Sequence, residues 1–420
     1  MKSLSKNSVL PQPRLNAFEE RLSKYTDRIS ALYGREDRYA VPESSLCISG
    51  DAVYQVNIQK ELKRFKGIRH VILIGIGGSS LGTEAVYGAL KTEKSPALTV
   101  IDEIDRESLE RVASLMKGVV NPKDIAIVVV SKSGATTETM LSAVKILEIG
   151  ERRYGEKIQK QIIFIGDKDT AFFELGRKRG ALCLSMPKAI GGRYSVFTAV
   201  GIAPLTLLGI DTAAFRKGSQ DAMKQVSLRA IREHAALLAL HALQGVHTVN
   251  FFTFNKRLEL CGYWYRQLLA ESIGKNMTIK KASFSHQLLP IVSTSVDLHS
   301  MGQLFLAGYE NIYTHFVYFK DTSAYRLLSS HWLLSHVPFL KGKRVGEVSD
   351  ALRKGVLKAY DDEKLPYRVT ELAECSAYEV GFLLNSLMCE VMCVAHALNV
   401  DAFDQPNVES YKKHTRAVLG

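Results

Sequence analysis

Two short apolar runs that each collapse into small, hydroxyl-rich residues constrain this chain most. Val71-Ile72-Leu73-Ile74 breaks into Gly75-Ile76-Gly77-Gly78-Ser79-Ser80, and the run 125–130 breaks into Ser131-Lys132-Ser133-Gly134-Ala135-Thr136-Thr137. Continuous β-branched runs of this length suit strands buried on both faces of a parallel sheet. A helical pattern follows each break, so both turns fall at the carboxyl edge of an α/β sheet, where ligands bind. Unpaired N–H groups at the start of each following helix suit an anion. Two turns rich in Ser and Thr predict a monophosphate held largely by neutral donors.

The same alternation runs along most of the chain. Strands are expected at 71–75, 97–101, 125–130, 161–165, 247–254, 313–319 and 367–371. Helices are expected near 107–117, 137–149, 194–209, 213–243, 257–272 and 376–397. This predicts an α/β protein of two tandem, doubly wound α/β/α domains with mostly parallel sheets and right-handed crossovers, plus terminal helices. The expected division is an N-terminal helical segment 1–45, with Phe18, Leu22, Ile29 and Leu32 at helical spacing, then domains 46–205 and 206–400. A short helix within 401–420 opens near Pro406, a favoured first-turn residue.

At 420 residues and 46% apolar composition, the chain has ample material for such cores. Its formal charge of +12 is spread among acids along the whole length. Basic residues form no block of the kind that marks a nucleic-acid arm, so the charge favours anionic metabolites rather than nucleic acid. Six cysteines without framework spacing point to reduced thiols and a cytoplasmic protein. Residues 1–22 lack the apolar core of a secretion signal, and no run is expected to supply the roughly 20 apolar residues of a membrane span.

Several constellations carry chemistry. The first glycine turn also fits a dinucleotide loop, with Asp102 at the end of the next strand, but Ser80 stands where the third glycine belongs. Gly191-Gly192-Arg193-Tyr194-Ser195 reads equally as a tight turn or as a backbone that approaches a ligand beside a permanent cation. Glu271 ends an apolar helix in Glu271-Ser272-Ile273-Gly274-Lys275; acids avoid that end of the helix dipole, and a partly buried one suits general-base work. His299 opens a helix, and Lys412 lies on the terminal helix in Phe403-Asp404-Gln405-Pro406-Asn407-Val408-Glu409-Ser410-Tyr411-Lys412. Cys389, Cys393 and His396 share a helix face as metal ligands do, but their apolar neighbours favour core packing.

In order and identity, the blocks 75–82, 131–139, 191–195, 271–275, 294–303 and 403–412 resemble the glucose-6-phosphate isomerase (phosphoglucose isomerase) family in its shorter bacterial form. The resemblance implies two sugar-isomerase (SIS) domains in a homodimer, no metal and no cofactor. It also implies reversible aldose–ketose isomerisation of glucose 6-phosphate to fructose 6-phosphate through a cis-enediolate, a step of glycolysis and gluconeogenesis. It places the catalytic roles on Glu271, His299, Lys412 and Arg193; in the family the histidine loop can come from the other subunit. Substrate binding falls to Gly78, Ser79, Ser131, Lys132, Ser133, Thr136, Gly192 and Gln405. Ile273 stands where a polar residue is usual, and it is expected to dry the site beside Glu271. Three other readings stay open at this point: dual glucose and mannose phosphate specificity, a sugar-phosphate-sensing regulator, and a nucleotide-dependent dehydrogenase.

Overall fold

A computed structural model describes residues 2–6, 12–33, 35, 37–308, 311–320, 322 and 324–419. Strand β1 (Lys2–Lys6), helix α1 (Gln12–Ser30) and helix α2 (Ala52–Leu62) open the chain. Then come β2 (His70–Ile74), α3 (Leu81–Leu90), β3 (Ala97–Ile101), α4 (Arg106–Gly118), β4 (Ile125–Val130), α5 (Thr137–Tyr154), β5 (Ile162–Gly166), α6 (Ala171–Lys178), β6 (Leu182–Ser185) and α7 (Ala199–Leu207). The second half runs α8 (Thr212–Ala222), α9 (Gln225–Leu243), β7 (Thr248–Thr253), α10 (Glu259–Ile273), β8 (Leu289–Thr294), α11 (Gly302–Leu306), β9 (Ile312–Phe319), α12 (Val345–Asp362), β10 (Tyr367–Leu372), α13 (Ala377–Leu398) and α14 (Glu409–Leu419).

The first sheet has the order β3-β2-β4-β5-β6 with every pair parallel. Strands β2 and β4 are neighbours, Ile74 pairing with Val129, yet their connections leave to opposite sides. The switch point of the sheet therefore falls between them, and a crevice opens beyond their carboxyl ends. Those ends carry the two turns singled out from sequence. All six residues of β4 are buried, as a central strand covered by helices on both faces requires.

The second sheet has the order β1-β10-β9-β7-β8. Four of its strands are parallel, and β1 adds an antiparallel edge against β10. The expected N-terminal segment is thus not wholly helical. Lys-Ser-Leu-Ser-Lys is too polar for a buried strand and forms the polar outer edge of a sheet. The helix expected near 213–243 is two helices, parted by Lys224 in extended conformation.

One apolar core joins both halves, with α13 along its middle. By length and composition this helix is apolar enough to cross a membrane, contrary to the sequence expectation, but 89% of its most apolar window is buried inside the protein. Cys389 and Cys393 are fully buried on it, and His396 stacks on Tyr25 with ring centroids 4.3 Å apart. These three residues pack the core.

Candidate active site

The crevice beyond β2 and β4 is a cleft of about 940 Å³. Its floor is the turn Ile76–Ser79, and one wall is the loop that leads into α5, through Lys132, Ser133 and Thr136. Thr136 caps α5 by position, yet its hydroxyl makes no bond to the helix and stays available to the cleft. Lys132 is half-buried and donates to the Ile190 carbonyl at 3.1 Å; burial lowers its proton affinity, opposed by nearby Asp167. The 18-residue helix α5 aims its N-terminal amides at the same space.

Gly192 and Arg193 close the floor from the side. Their backbone lies so near Gly78 that a β-carbon there would sit 2.2 Å from the Gly192 carbonyl carbon and 2.5 Å from the Arg193 nitrogen. Only glycine lets the two turns touch. The touch matters because Arg193 reaches from this turn into the second half of the molecule.

The Arg193 side chain is almost wholly buried, with 2% exposed. Its Nε donates to Ser272 Oγ at 2.9 Å, Nη1 to Glu271 Oε2 at 3.1 Å, and Nη2 to the carbonyls of Ala402 and Asp404. A guanidinium fork serves all four acceptors at once; an ammonium does not.

Glu271 comes from the far end of α10, and 29% of its side chain is open to the cleft. Gln267, one turn earlier on the same helix face, donates to Oε1 at 2.8 Å. Gln405 and Arg193 both donate to Oε2. A carboxylate offers about four acceptor positions. With two bonds on Oε2 and one on Oε1, the open position lies on Oε1. The remaining wall is the terminal segment, with Gln405, Val408, Tyr411, Lys412 and Thr415.

The cleft therefore gathers Gly78, Ser79, Lys132, Ser133, Thr136, Gly192, Arg193, Glu271, Gln405 and Lys412 of the expected residues. Ser131 does not line it. Its side chain is buried, and Oγ accepts from the Gly134 amide at 3.1 Å, so it shapes the loop from inside. Ile273 does not line it either; it is fully buried in the shared core.

His299 lies elsewhere. It ends the short helical turn Ser295–His299 that follows β8, exposed at the carboxyl edge of the second sheet. Helix α10 runs back against the strands, so this edge and Glu271 are separated by the run from Glu259 to Glu271, about 18 Å at roughly 1.5 Å per residue. Gln267, Ser272 and Asp404 were not singled out from sequence. The i−4 spacing of Gln267 from Glu271 was the available signal; the carbonyl contacts of the 402–404 segment left none.

Solved structures resemble this architecture over its whole length. A hypothetical protein of Thermus thermophilus superposes with a TM-score of 0.87, at 24% identity and 100% coverage of both chains. The glucose-6-phosphate isomerase of Chlamydia trachomatis superposes at 0.76, with 17% identity over 100% of this chain and 88% of its own. Both share the fold of this chain. In sequence, the glucose-6-phosphate isomerase of Clostridium tetani is 33% identical over 380 residues, 86% of this chain and 83% of its own length. That of Fusobacterium nucleatum is 28% identical over 428 residues, 98% and 94% of the two chains. The family model for phosphoglucose isomerase matches residues 59–419. The chain belongs to the phosphoglucose isomerase family.

Proposed function

We propose that the protein interconverts glucose 6-phosphate and fructose 6-phosphate, with Glu271 as the base that carries the proton between C2 and C1. The observation that carries this reading is the carboxylate of Glu271, held in the cleft by Arg193, Gln267 and Gln405 with one acceptor position of Oε1 left open. Moving a carbonyl from C1 to C2 is a proton transfer and needs no external redox partner. Oε1 takes the C2 proton and returns it to C1, while the O2 hydroxyl proton passes to O1, so the carbonyl moves from C1 to C2. One oxygen suffices for the carbon proton because a cis-enediolate presents both carbons on one face. A positioned base of this kind contributes about 10²–10⁴-fold.

The phosphate sits in the crevice between β2 and β4, on Ser79, Ser133, Thr136 and the α5 amides, with Lys132 beside them. Its distance from the reacting carbons lets binding energy fix their position. As charge develops on the enediolate oxygens, the nearby Arg193 guanidinium opposes it; one preorganised donor in such a place supplies about 3–4 kcal/mol. Lys412 on the half-buried face of α14 serves ring opening. His299 stands at the other edge of the second sheet, so we assign it to the cleft of a second copy in a homodimer. Six unpaired cysteines support a cytoplasmic setting.

The test couples fructose 6-phosphate turnover by purified protein to a dehydrogenase specific for glucose 6-phosphate. Glu271→Gln should retain sugar-phosphate binding and lose at least about 10³-fold in kcat. Retention of most kcat removes Glu271 from the base role.

A further inference from the structure

Arg193 is one of two buried cations that grip the segment after α13. Lys275, two residues beyond the end of α10, has 6% of its side chain exposed. Its ammonium donates to the Glu271 carbonyl at 2.7 Å and to the Asp404 carbonyl, and it lies 3.0 Å from Asp404 Oδ1. Three acceptors use its three protons. The Glu271 carbonyl belongs to the last turn of α10, where carbonyls have no partner within the helix.

The two ends joined by this ammonium are the two that meet at the reacting carboxylate. One is the helix end that carries Glu271. The other is the backbone of Asp404, whose neighbour Gln405 donates to Glu271 Oε2. Arg193 also holds the carbonyls of Ala402 and Asp404. The strap 401–405 is thus held by two cations, and α14 with Lys412 follows it. Lys275 itself does not line the cleft.

We propose that Lys275 is a positioning residue for the isomerisation: it locks the end of α10 and the strap 401–405 into one unit and so sets where Glu271, Gln405 and Lys412 stand. This rests on the assignment of Glu271 as the base. Burial lowers the proton affinity of Lys275, and Asp404 opposes that effect, so the ion pair helps keep the third donor in place. Lysine fits here because one compact charge must reach two carbonyls and a carboxylate from different directions, whereas Arg193 spreads its donors along a fork.

The experiment uses the full chain with Lys275→Met and Asp404→Asn, with kcat normalised to folded protein and amide exchange followed by mass spectrometry. Lys275→Met should lower kcat about 10²-fold while KM moves by less than about threefold, since the phosphate turns do not touch Lys275. Amides in 400–412 should exchange at least about tenfold faster, with those of the first sheet unchanged. A merely structural role lowers the melting temperature without this split between kcat and KM. Wild-type kcat per folded molecule, or unchanged exchange in 400–412, overturns the proposal. If Lys275→Met does not fold, Asp404→Asn decides. It removes the ionic contact from the half-exposed side, and it must raise exchange in 400–412 and lower kcat, or the proposal falls. A wild-type protein inactive on both hexose phosphates would defeat the isomerase reading instead, and the exchange rates would still report whether Lys275 pins the strap.

Discussion

Gly78→Ala changes one hydrogen into a methyl group at the point where the two glycine turns touch. The new β-carbon would lie 2.2 Å from the Gly192 carbonyl carbon and 2.5 Å from both the Gly192 oxygen and the Arg193 nitrogen. All three are backbone atoms, so no rotamer change relieves the clash. To reach 3.0 Å, below which β-carbons are essentially never found, the turns must part by about 0.8 Å. Arg193 moves with its turn, while Ser272, Glu271, Ala402 and Asp404 hold the other end of its side chain. A contact of 3.1 Å to Glu271 stretched by that amount is no longer a hydrogen bond. Overpacking of this kind costs about 1–3 kcal/mol in stability. Misplacing a reacting group by about 1 Å costs about 10²-fold in rate. We therefore expect a folded Gly78→Ala protein with kcat reduced about 10²-fold in the coupled fructose 6-phosphate assay. Gly191→Ala is the control. Nothing lies within 4 Å of a β-carbon there, and φ of −75° suits alanine, so that variant should keep its kcat. If Gly78→Ala retains kcat within about threefold, the contact between the turns does not position Arg193.

Arg193→Lys should lose about 10²–10³-fold in kcat, because an ammonium cannot serve Ser272, Glu271 and two carbonyls together; steady-state kinetics near wild type would refute the role of the fork. Lys132→Met should raise KM for the sugar phosphate about tenfold and spare most of kcat, as removal of binding remote from the reacting carbons predicts. Acid should destabilise the protein through its buried histidines. Burial pushes His241 down to about 4, so the folded state refuses a proton that the unfolded chain accepts near pH 6.5. The stability is whole above about pH 6.5 and falls toward pH 4, at up to about 1.4 kcal/mol per pH unit for this one group. His241→Phe should flatten urea-unfolding midpoints measured at pH 7, 6 and 5; a slope equal to that of wild type would show that His241 does not contribute.

What was legible in the sequence depended on whether local chemistry and tertiary role coincide. Residues 125–130 are a continuous apolar run and form a strand with those same bounds, because burial on both faces leaves its mark on every side chain. The adjoining turns could be placed for the same reason: glycine and hydroxyl residues after such a run mark a carboxyl edge. Strand β1 was not legible, since an edge strand of four Lys and Ser residues around Leu4 takes its structure from β10 rather than from its own composition. Strand β8 was missed similarly; its pairing with β7 fixes it, while Leu289 remains exposed. In the cleft, the titratable side chains were legible one by one, but their connections were not. Arg193 and Glu271 are 78 positions apart, and Arg193 and Ala402 are 209 apart. Nothing in either segment alone says that a backbone carbonyl of one is the acceptor for the other. His299 shows the converse. Its segment was recognisable, yet β8 lies parallel to β7, so the crossover through α10 sends His299 and Glu271 toward opposite ends of one helix. In that topology His299 and the Glu271 of the same chain stand toward opposite ends of α10, and the assignment of His299 to a second copy becomes a prediction about assembly. Mixing a Glu271→Gln chain with a His299→Ala chain, each inactive alone, should restore up to about a quarter of wild-type activity if partners exchange freely and each cleft draws its histidine from the other copy. Mixed dimers that stay inactive while subunit exchange is confirmed by mass would mean that each cleft draws both residues from one chain, or would remove His299 from the reaction.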